Sequence, residues 1–140
     1  MSTDESSESR GIFPVKEYFG ATDAREVQQF SLYIADKDRN DHKIDNFEKW
    51  VDAALEILTR IGGGASAHLD VYGYWRNATT GVLVKEKTVI AYVYVDPDKF
   101  RLHAKELREF IHFYGRETNQ GQVLFYWNGV AYFIDKFDEV

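Results

Sequence analysis

Two amphipathic helical patterns, embedded between β-strand patterns, constrain the fold of this chain most strongly. The first has apolar residues at intervals of three and four and ends at Gly62-Gly63-Gly64; its members are Phe47, Trp50, Val51, Ala54, Leu55, Leu58 and Ile61. The second follows Pro97, which suits a first helical turn; its members are Phe100, Ala104, Leu107, Phe110, Ile111 and Tyr114. Asp45 and Glu48 predict a capping box for the first helix, and Gly115 predicts the end of the second. Each helix is therefore expected to bury one face.

Five runs rich in β-forming residues predict strands around these helices, near 30–34, 65–76, 82–95, 123–127 and 130–134. The last two flank Asn128-Gly129, a pair typical of a two-residue hairpin because both positions need positive φ. The order β-α-β-β-α-β-β predicts an α+β, ferredoxin-like split βαβ sandwich, with one antiparallel sheet and two helices on one face. Two unrelated α+β pieces are the alternative, which 140 residues favour less.

The chain divides into three predicted parts. Residues 1–10 contain serines and acids but no large apolar group except the first Met, which predicts a disordered acidic tail. Residues 11–28 predict an N-terminal arm that packs onto the domain or onto a partner chain, because of a short apolar cluster: Ile12, Phe13, Val15, Tyr18 and Phe19. Residues 29–137 form a single predicted domain.

Composition argues against several classes of function. The chain has 17 basic and 23 acidic residues, a net charge of -6, whereas a duplex-DNA binder needs a basic face. With no cysteine, disulfides and thiolate metal sites are excluded. No apolar run approaches the roughly 18 residues of a membrane span, and the start lacks a signal-peptide pattern, so we expect a cytoplasmic protein without membrane contact. No phosphate-binding, dinucleotide or nucleophile-elbow motif is present, and we expect no cofactor.

Two short patterns have the spacing of metal sites, but neither predicts one. Residues 36–48 place oxygen ligands as a calcium loop does, yet Asp41 replaces the required glycine and the closing Glu48 comes one position late. Glu109 and His112 have the spacing of a di-iron helix, but the motif has no second copy. Because both lie off the apolar stripe, we expect them in solvent. The sequence predicts no metal.

The strand register predicts which side chains point away from the helices. A five-residue loop between the two middle strands pairs Tyr72 with Glu86 and His68 with Ile90. The small aliphatic set is expected under the helices: Leu69, Val71, Val89, Ala91, Val93 and Val95. The opposite face is expected to bind a ligand through Tyr33, His68, Asp70, Tyr72, Tyr74, Arg76, Glu86, Tyr92 and Tyr94.

A face with five tyrosines exceeds the apolar area that a monomer normally leaves in water, so something is expected to cover it. We interpret it as a surface for self-association, most simply in a homodimer, that also holds a small polar-aromatic ligand. The predicted function is a non-enzymatic dimerising or ligand-binding interaction module.

Three alternatives stay open. The first is a cofactor-free small ferredoxin-like enzyme that acts on an aromatic or carbonyl compound through His68, Tyr72 and Glu86, where desolvation raises the pKa of the glutamate. The second is a single-stranded RNA binder, in which Tyr92 and Tyr94 stack bases. The third is a phage-type inhibitor that acts by protein contact.

Several short motifs carry a resemblance to a known family. They are Leu32-Tyr33, Trp50, Gly73-Tyr-Trp75-Arg76, Gly81, Glu86 and Gln120-Gly-Gln-Val123. Over residues 30–135 the chain resembles an uncharacterised bacterial domain-of-unknown-function family with Gly-x-Trp-Arg, glutamate and Gln-x-x-Val motifs. The Asn-Gly hairpin and the acidic tail depart from that pattern. The resemblance implies a ferredoxin-like fold and no activity, and it marks Trp75, Arg76 and Glu86 as residues to test.

Overall fold

A computed structural model describes residues 11–139. The elements of this range are α1 Val15–Phe19, β1 Gln28–Ala35, α2 Phe47–Gly62, β2 Ser66–Arg76, β3 Leu83–Val95, α3 Pro97–Glu117, β4 Val123–Trp127 and β5 Val130–Ile134. The strands form one antiparallel sheet in the order β2-β3-β1-β4-β5, which confirms the predicted α+β class. The finer ferredoxin-like assignment and the division into tail, arm and domain stay predictions, and the tail lies outside the described residues.

The core lies between one face of the sheet and the apolar stripes of α2 and α3. From Val89 onward the odd-numbered residues of β3 point into it, as predicted, and so do Phe30, Leu32 and Ile34 of β1. At the end of α2, a Cβ on Gly62 would lie 2.2 Å from Cγ2 of Val93. The helix approaches the sheet this closely because Gly62 has no side chain.

The helix ends agree with the sequence only in part. Asp96 caps α3 by accepting a 2.7 Å hydrogen bond from the N–H of Asp98, and Pro97 begins the helix as predicted. The predicted capping box of α2 is wrong. Asn46 takes the cap position with a φ of 58°, and no side chain bonds the cap there. Its left-handed backbone redirects the chain into the helix.

Gly115 lies inside α3 and does not end it, which corrects the predicted boundary. The helix continues to Glu117, and the ring of Phe137 occupies the space that a Cβ on Gly115 would fill. His112 is also buried, contrary to its predicted exposure, and its Nδ1 accepts a 2.8 Å hydrogen bond from the N–H of Asp138. The C-terminal segment thus packs along α3.

The β4–β5 hairpin turns at Asn128 and Gly129, both with positive φ, as the sequence predicts. β5 is an edge strand, and Val130, Tyr132 and Phe133 remain exposed on its two faces. Within residues 11–139, no helix combines the length and hydropathy that crossing a membrane requires.

A candidate active-site cleft with a half-buried glutamate

A β-bulge in β2 decides which residues share a face. His68 pairs with Ile90 as predicted, but Val71 pairs with Thr88, so two residues of β2 lie opposite one of β3. Beyond this point the predicted register is wrong by one residue. Tyr72 lies opposite Lys87, and Gly73 lies opposite Glu86. Because side chains alternate along a strand, the shift places Val71, Gly73 and Trp75 on the face of Glu86. Tyr72 points to the other face.

A cleft of about 560 Å³ opens on the side of the sheet that the helices leave uncovered. Its floor comes from β1, β2 and β3, and its walls from the loops that follow β1 and α3 and from the last hairpin. It is lined by Tyr33, Ala35, Lys37, Asp38, Gly73, Tyr74, Trp75, Arg76, Ala78, Glu86, Thr88, Gln120, Gly121, Gln122, Leu124 and Phe133. The volume lies in the range typical of small-molecule sites.

Glu86 is the half-buried acid of this cleft. Burial raises the pKa of its carboxyl group, a hydrogen bond from the Trp75 indole N–H opposes the rise, and the negative charge of Asp36 adds to it. Lys37 is the cation whose charge reaches Glu86, but its Nζ lies 3.0 Å from a carboxylate oxygen of Asp41. Among residues 11–139 the Glu86 carboxylate therefore has no ion-pair partner of its own.

Gly73 leaves room for this carboxylate. A Cβ at position 73 would lie 3.2 Å from Oγ1 of Thr88 and 3.9 Å from Oε1 of Glu86. Thr88 is itself buried in the cleft floor. A Cβ at position 73 would therefore crowd the Thr88 hydroxyl and make ordinary contact with the Glu86 side chain.

Two loops distant in sequence form the wall beside Glu86. The side-chain amide of Gln120 donates a 3.0 Å hydrogen bond to the carbonyl of Lys37, and the Arg39 guanidinium donates a 2.8 Å bond to the carbonyl of Gln120. The backbone N–H of Arg39 also bonds the carbonyl of Asn119 at 3.0 Å. These bonds fix the position of the wall relative to the sheet.

Four predicted ligand-binding residues lie on the uncovered face with Glu86. Tyr33 lines the cleft, packs 5.5 Å from the ring of Tyr126, and has a pKa raised by burial. His68 stacks on Tyr92 at 5.0 Å, and Tyr92 contacts Tyr94 edge-on at 5.9 Å. These three form a separate aromatic row that does not line the cleft.

The other predicted residues follow the shifted register. Tyr72 lies on the opposite face, where Nζ of Lys85 sits 4.6 Å from its ring centre. Asp70, in the bulge, pairs with Lys87 at 3.1 Å. Tyr74 and Arg76 alternate to the same face as Tyr72 but meet the cleft at its rim, since β2 is an edge strand.

The structure thus does not bring His68, Tyr72 and Glu86 into one group. Instead, Trp75 and Glu86 lie on one face, and the indole affects the pKa of the carboxyl group. The resemblance had marked both residues for testing. The wall residues Lys37 and Phe133 had no local signal, because their place in the cleft depends on packing between distant segments. No cluster of three or more His, Cys, Asp or Glu able to hold a metal occurs in the described part of the chain.

Comparisons with known proteins identify a shared fold. No family model matches the chain, and no curated protein matches it. A phage SAM (S-adenosylmethionine) lyase in complex with S-methyl-5′-thioadenosine is similar over 82% of this chain and 95% of its own, with 15% identity and a TM-score of 0.60. The apo state of a phage SAM lyase is similar over 78% of this chain and 89% of its own, with 17% identity and a TM-score of 0.52. At these identities the likeness establishes the fold.

The same comparison overturns the predicted non-enzymatic interaction module, because the matching folds are those of an enzyme with a small-molecule ligand. That prediction depended on five tyrosines sharing one exposed face, but the bulge places two of them, Tyr72 and Tyr74, on the opposite face.

Proposed function

We propose that this chain is a lyase that cleaves S-adenosylmethionine and releases S-methyl-5′-thioadenosine. The proposal is supported by the shared fold and by the Glu86 cleft, whose volume suits a nucleoside-sized ligand. Of the alternatives that the sequence left open, the proposal is nearest to the cofactor-free enzyme. It differs in naming S-adenosylmethionine as the substrate and in keeping Glu86 without His68 and Tyr72.

The Glu86 carboxylate is the observation that carries the proposal. It is half-buried, the Trp75 indole opposes the rise in its pKa, and within the described range it has no ion-pair partner. A desolvated carboxylate in this state favours a ligand that brings a positive charge. S-adenosylmethionine carries two positive charges, on its sulfonium and its ammonium groups.

Aromatic rings in the cleft with Glu86 could bind the adenine ring of the substrate. Tyr33, Trp75 and Phe133 line the same cleft and offer faces to the adenine ring or to the sulfonium. The amides of Gln120 and Gln122 line it as well and provide polar groups that can fix the orientation of a ligand. The cleft therefore combines the groups that an aromatic cation needs.

In the proposed reaction the substrate supplies its own nucleophile. A carboxylate oxygen of the methionine part attacks Cγ while the Cγ–S bond breaks and its electron pair passes to sulfur. The products are neutral S-methyl-5′-thioadenosine and homoserine lactone, which retains the ammonium charge, so atoms and charge balance with no further reactant. The contribution of the chain is to hold the substrate folded, with its carboxylate in line behind Cγ.

The test is incubation of the purified chain with S-adenosylmethionine, followed by mass spectrometry. We expect S-methyl-5′-thioadenosine and the lactone in equal amounts. Glu86→Gln should lower kcat/KM about 10–100-fold, since hydrogen bonds to charged groups contribute about 1.5–3 kcal/mol. Glu56→Gln makes the same change on the exposed side of α2 and should leave the rate unchanged. Absence of the thioether product, or equal rates for both variants, would refute the proposal.

A further inference from the structure

The side chain of Gln120 is held in one orientation in the wall of the Glu86 cleft. Its amide nitrogen lies 3.0 Å from the carbonyl oxygen of Lys37 and 3.5 Å from that of Thr118. Because both neighbours are acceptors, the NH₂ end of the amide must face them. Gln120 is also only 6% exposed, so its surroundings leave the amide little freedom to turn. The amide oxygen Oε1 therefore lies away from these two carbonyls.

This Oε1 atom is an acceptor that the protein does not use itself. Among the hydrogen bonds of residues 11–139, the side chain of Gln120 takes part only as a donor. In the same range no buried side-chain oxygen lacks a partner, so Oε1 must be open to solvent. Since Gln120 lines the cleft and is otherwise almost fully buried, that opening is into the cleft. A fixed acceptor in such a place selects a ligand that brings a hydrogen-bond donor.

Gln120 lies beside the apolar half of the cleft. The strand order separates β4 and β5 from β2 and β3, with β1 between them. Leu124 and Phe133 pair across β4 and β5, Tyr33 lies on β1, and all three line the cleft. Gln120 comes just before β4, whereas Glu86 lies on β3. A flat aromatic ring therefore fits beside Gln120, and a cation fits beside Glu86.

The charged side chains of the loop after β1 are already bonded within that loop. Nζ of Lys37 lies 3.0 Å from a carboxylate oxygen of Asp41. Asp38 accepts two backbone N–H groups of its own loop, at 2.8 and 3.0 Å. The open acceptor of Gln120 is neutral, so it suits a neutral N–H donor, while the carboxylate of Glu86 satisfies a cation better.

We propose that Oε1 of Gln120 accepts a hydrogen bond from the 6-amino group of the adenine ring, so that the cleft selects 6-aminopurines over 6-oxopurines. The inference rests on the proposed function, which supplies the adenine-containing ligand. The ring lies in the apolar half with Tyr33 and Phe133, and the cationic part of the substrate extends toward Glu86. A 6-oxopurine brings a second acceptor against Oε1 and leaves both oxygens without a donor. A site built around such a hydrogen bond rejects the analogue that lacks it.

Titration calorimetry on the unmodified chain compares S-methyl-5′-thioadenosine with S-methyl-5′-thioinosine, which has a 6-oxo group in place of the 6-amino group. We expect the Kd of the thioinosine to be about 10–100-fold higher, because an unsatisfied buried acceptor is costly. Neither ligand carries a sulfonium or an ammonium group, so the comparison does not depend on the charge of Glu86. Equal Kd values for the two ligands would overturn the inference.

Gln120→Met separates recognition from a purely structural role. The variant removes the acceptor along with the bonds to the wall, so the ratio of the two Kd values should fall to within about threefold of one. A residue that only supports the wall would weaken both ligands alike and leave the ratio unchanged, which would also overturn the inference. Gln29→Met makes the same change on β1 outside the cleft and should leave both Kd values unchanged.

The lyase proposal has a separate readout, which is product formation from S-adenosylmethionine. A chain that prefers the thioadenosine but forms no product would support this inference and refute the lyase. A chain that forms product but binds both thioethers equally would do the reverse. If neither thioether binds, the assignment of Gln120 is refuted.

Discussion

Trp75 lies on the same face of the sheet as Glu86, on the neighbouring strand, and its indole N–H opposes the rise in the pKa of the Glu86 carboxyl group. The two residues meet because the bulge after His68 shifts β2 by one position against β3, which puts Gly73 directly opposite Glu86. Burial and the indole act on the pKa of Glu86 in opposite directions, and burial is the larger effect. The relationship makes the ionisation of Glu86 depend on an aromatic neighbour.

Trp75→Phe keeps an aromatic ring but removes the donor. The loss of the N–H should raise the pKa of Glu86 further, so the acid limb of the kcat/KM profile should move to higher pH. At neutral pH we expect a loss of about 2–10-fold, because a single hydrogen bond contributes about 0.5–1.5 kcal/mol. A pH–rate series with Tyr94→Phe as the control checks this. An unmoved acid limb would show that the indole does not act on Glu86.

Glu86→Gln should lower activity and raise the stability of the ligand-free chain at neutral pH. The pKa of Glu86 is higher folded than unfolded, so the folded state binds its proton more tightly. Stability is therefore lost as pH rises from the ordinary glutamate pKa through the raised folded value. The variant avoids this loss. Thermal unfolding should give the variant the higher Tm at pH 7 and equal Tm values below the ordinary pKa; a lower Tm at pH 7 would contradict the account.

Gly62→Ala should destabilise the domain, because its Cβ would lie 2.2 Å from Val93 and 2.9 Å from the carbonyl oxygen of Tyr94. We expect a loss of about 1–3 kcal/mol in the free energy of unfolding, typical of overpacking. Gly64→Ala, two residues on, meets nothing within 4 Å and is the matched control. Urea titrations of both variants compare them, and equal midpoints would disprove the close approach of α2 to the sheet.

Gly115→Ala tests the packing of the C-terminal segment. The new Cβ would overlap the ring of Phe137, which should be displaced at a cost of about 1–3 kcal/mol. In a Phe137→Ala background the same substitution should cost little, since the clash has been removed. A double-mutant cycle measured by urea unfolding reports this coupling. Additive effects of the two substitutions would contradict the contact.

The sequence predicted most reliably the features that depend on short-range patterns. The apolar stripe of α2, the Asp96-Pro97 start of α3 and the Asn128-Gly129 turn are each set by neighbouring residues. The prediction that Gly115 ends α3 was wrong, because the sequence alone does not distinguish a glycine that ends a helix from one that allows close packing inside it. Its partner Phe137 lies 22 residues away and cannot be inferred locally.

The candidate site could be predicted only in part, for a related reason. Residues 66–76 alternate without interruption at the bulge, so the one-residue shift that brings Trp75 and Glu86 together has no clear local signal. Glu86 was predicted as a site residue, but its partner was expected to be Tyr72. The wall formed by Gln120 against Lys37 joins segments 83 residues apart, and only tertiary packing brings them together.

The central claim is that Glu86 recognises the positive charge of the substrate. Titration calorimetry compares two ligands. One is neutral S-methyl-5′-thioadenosine; the other is an uncleavable S-adenosylmethionine analogue with a carbon in place of the sulfur, and this carbon carries a protonated amino group. Glu86→Gln should weaken binding of the cationic analogue about 10–100-fold and change the Kd of the neutral thioether by less than about twofold. Equal losses for the two ligands, or no loss for either, would contradict the account.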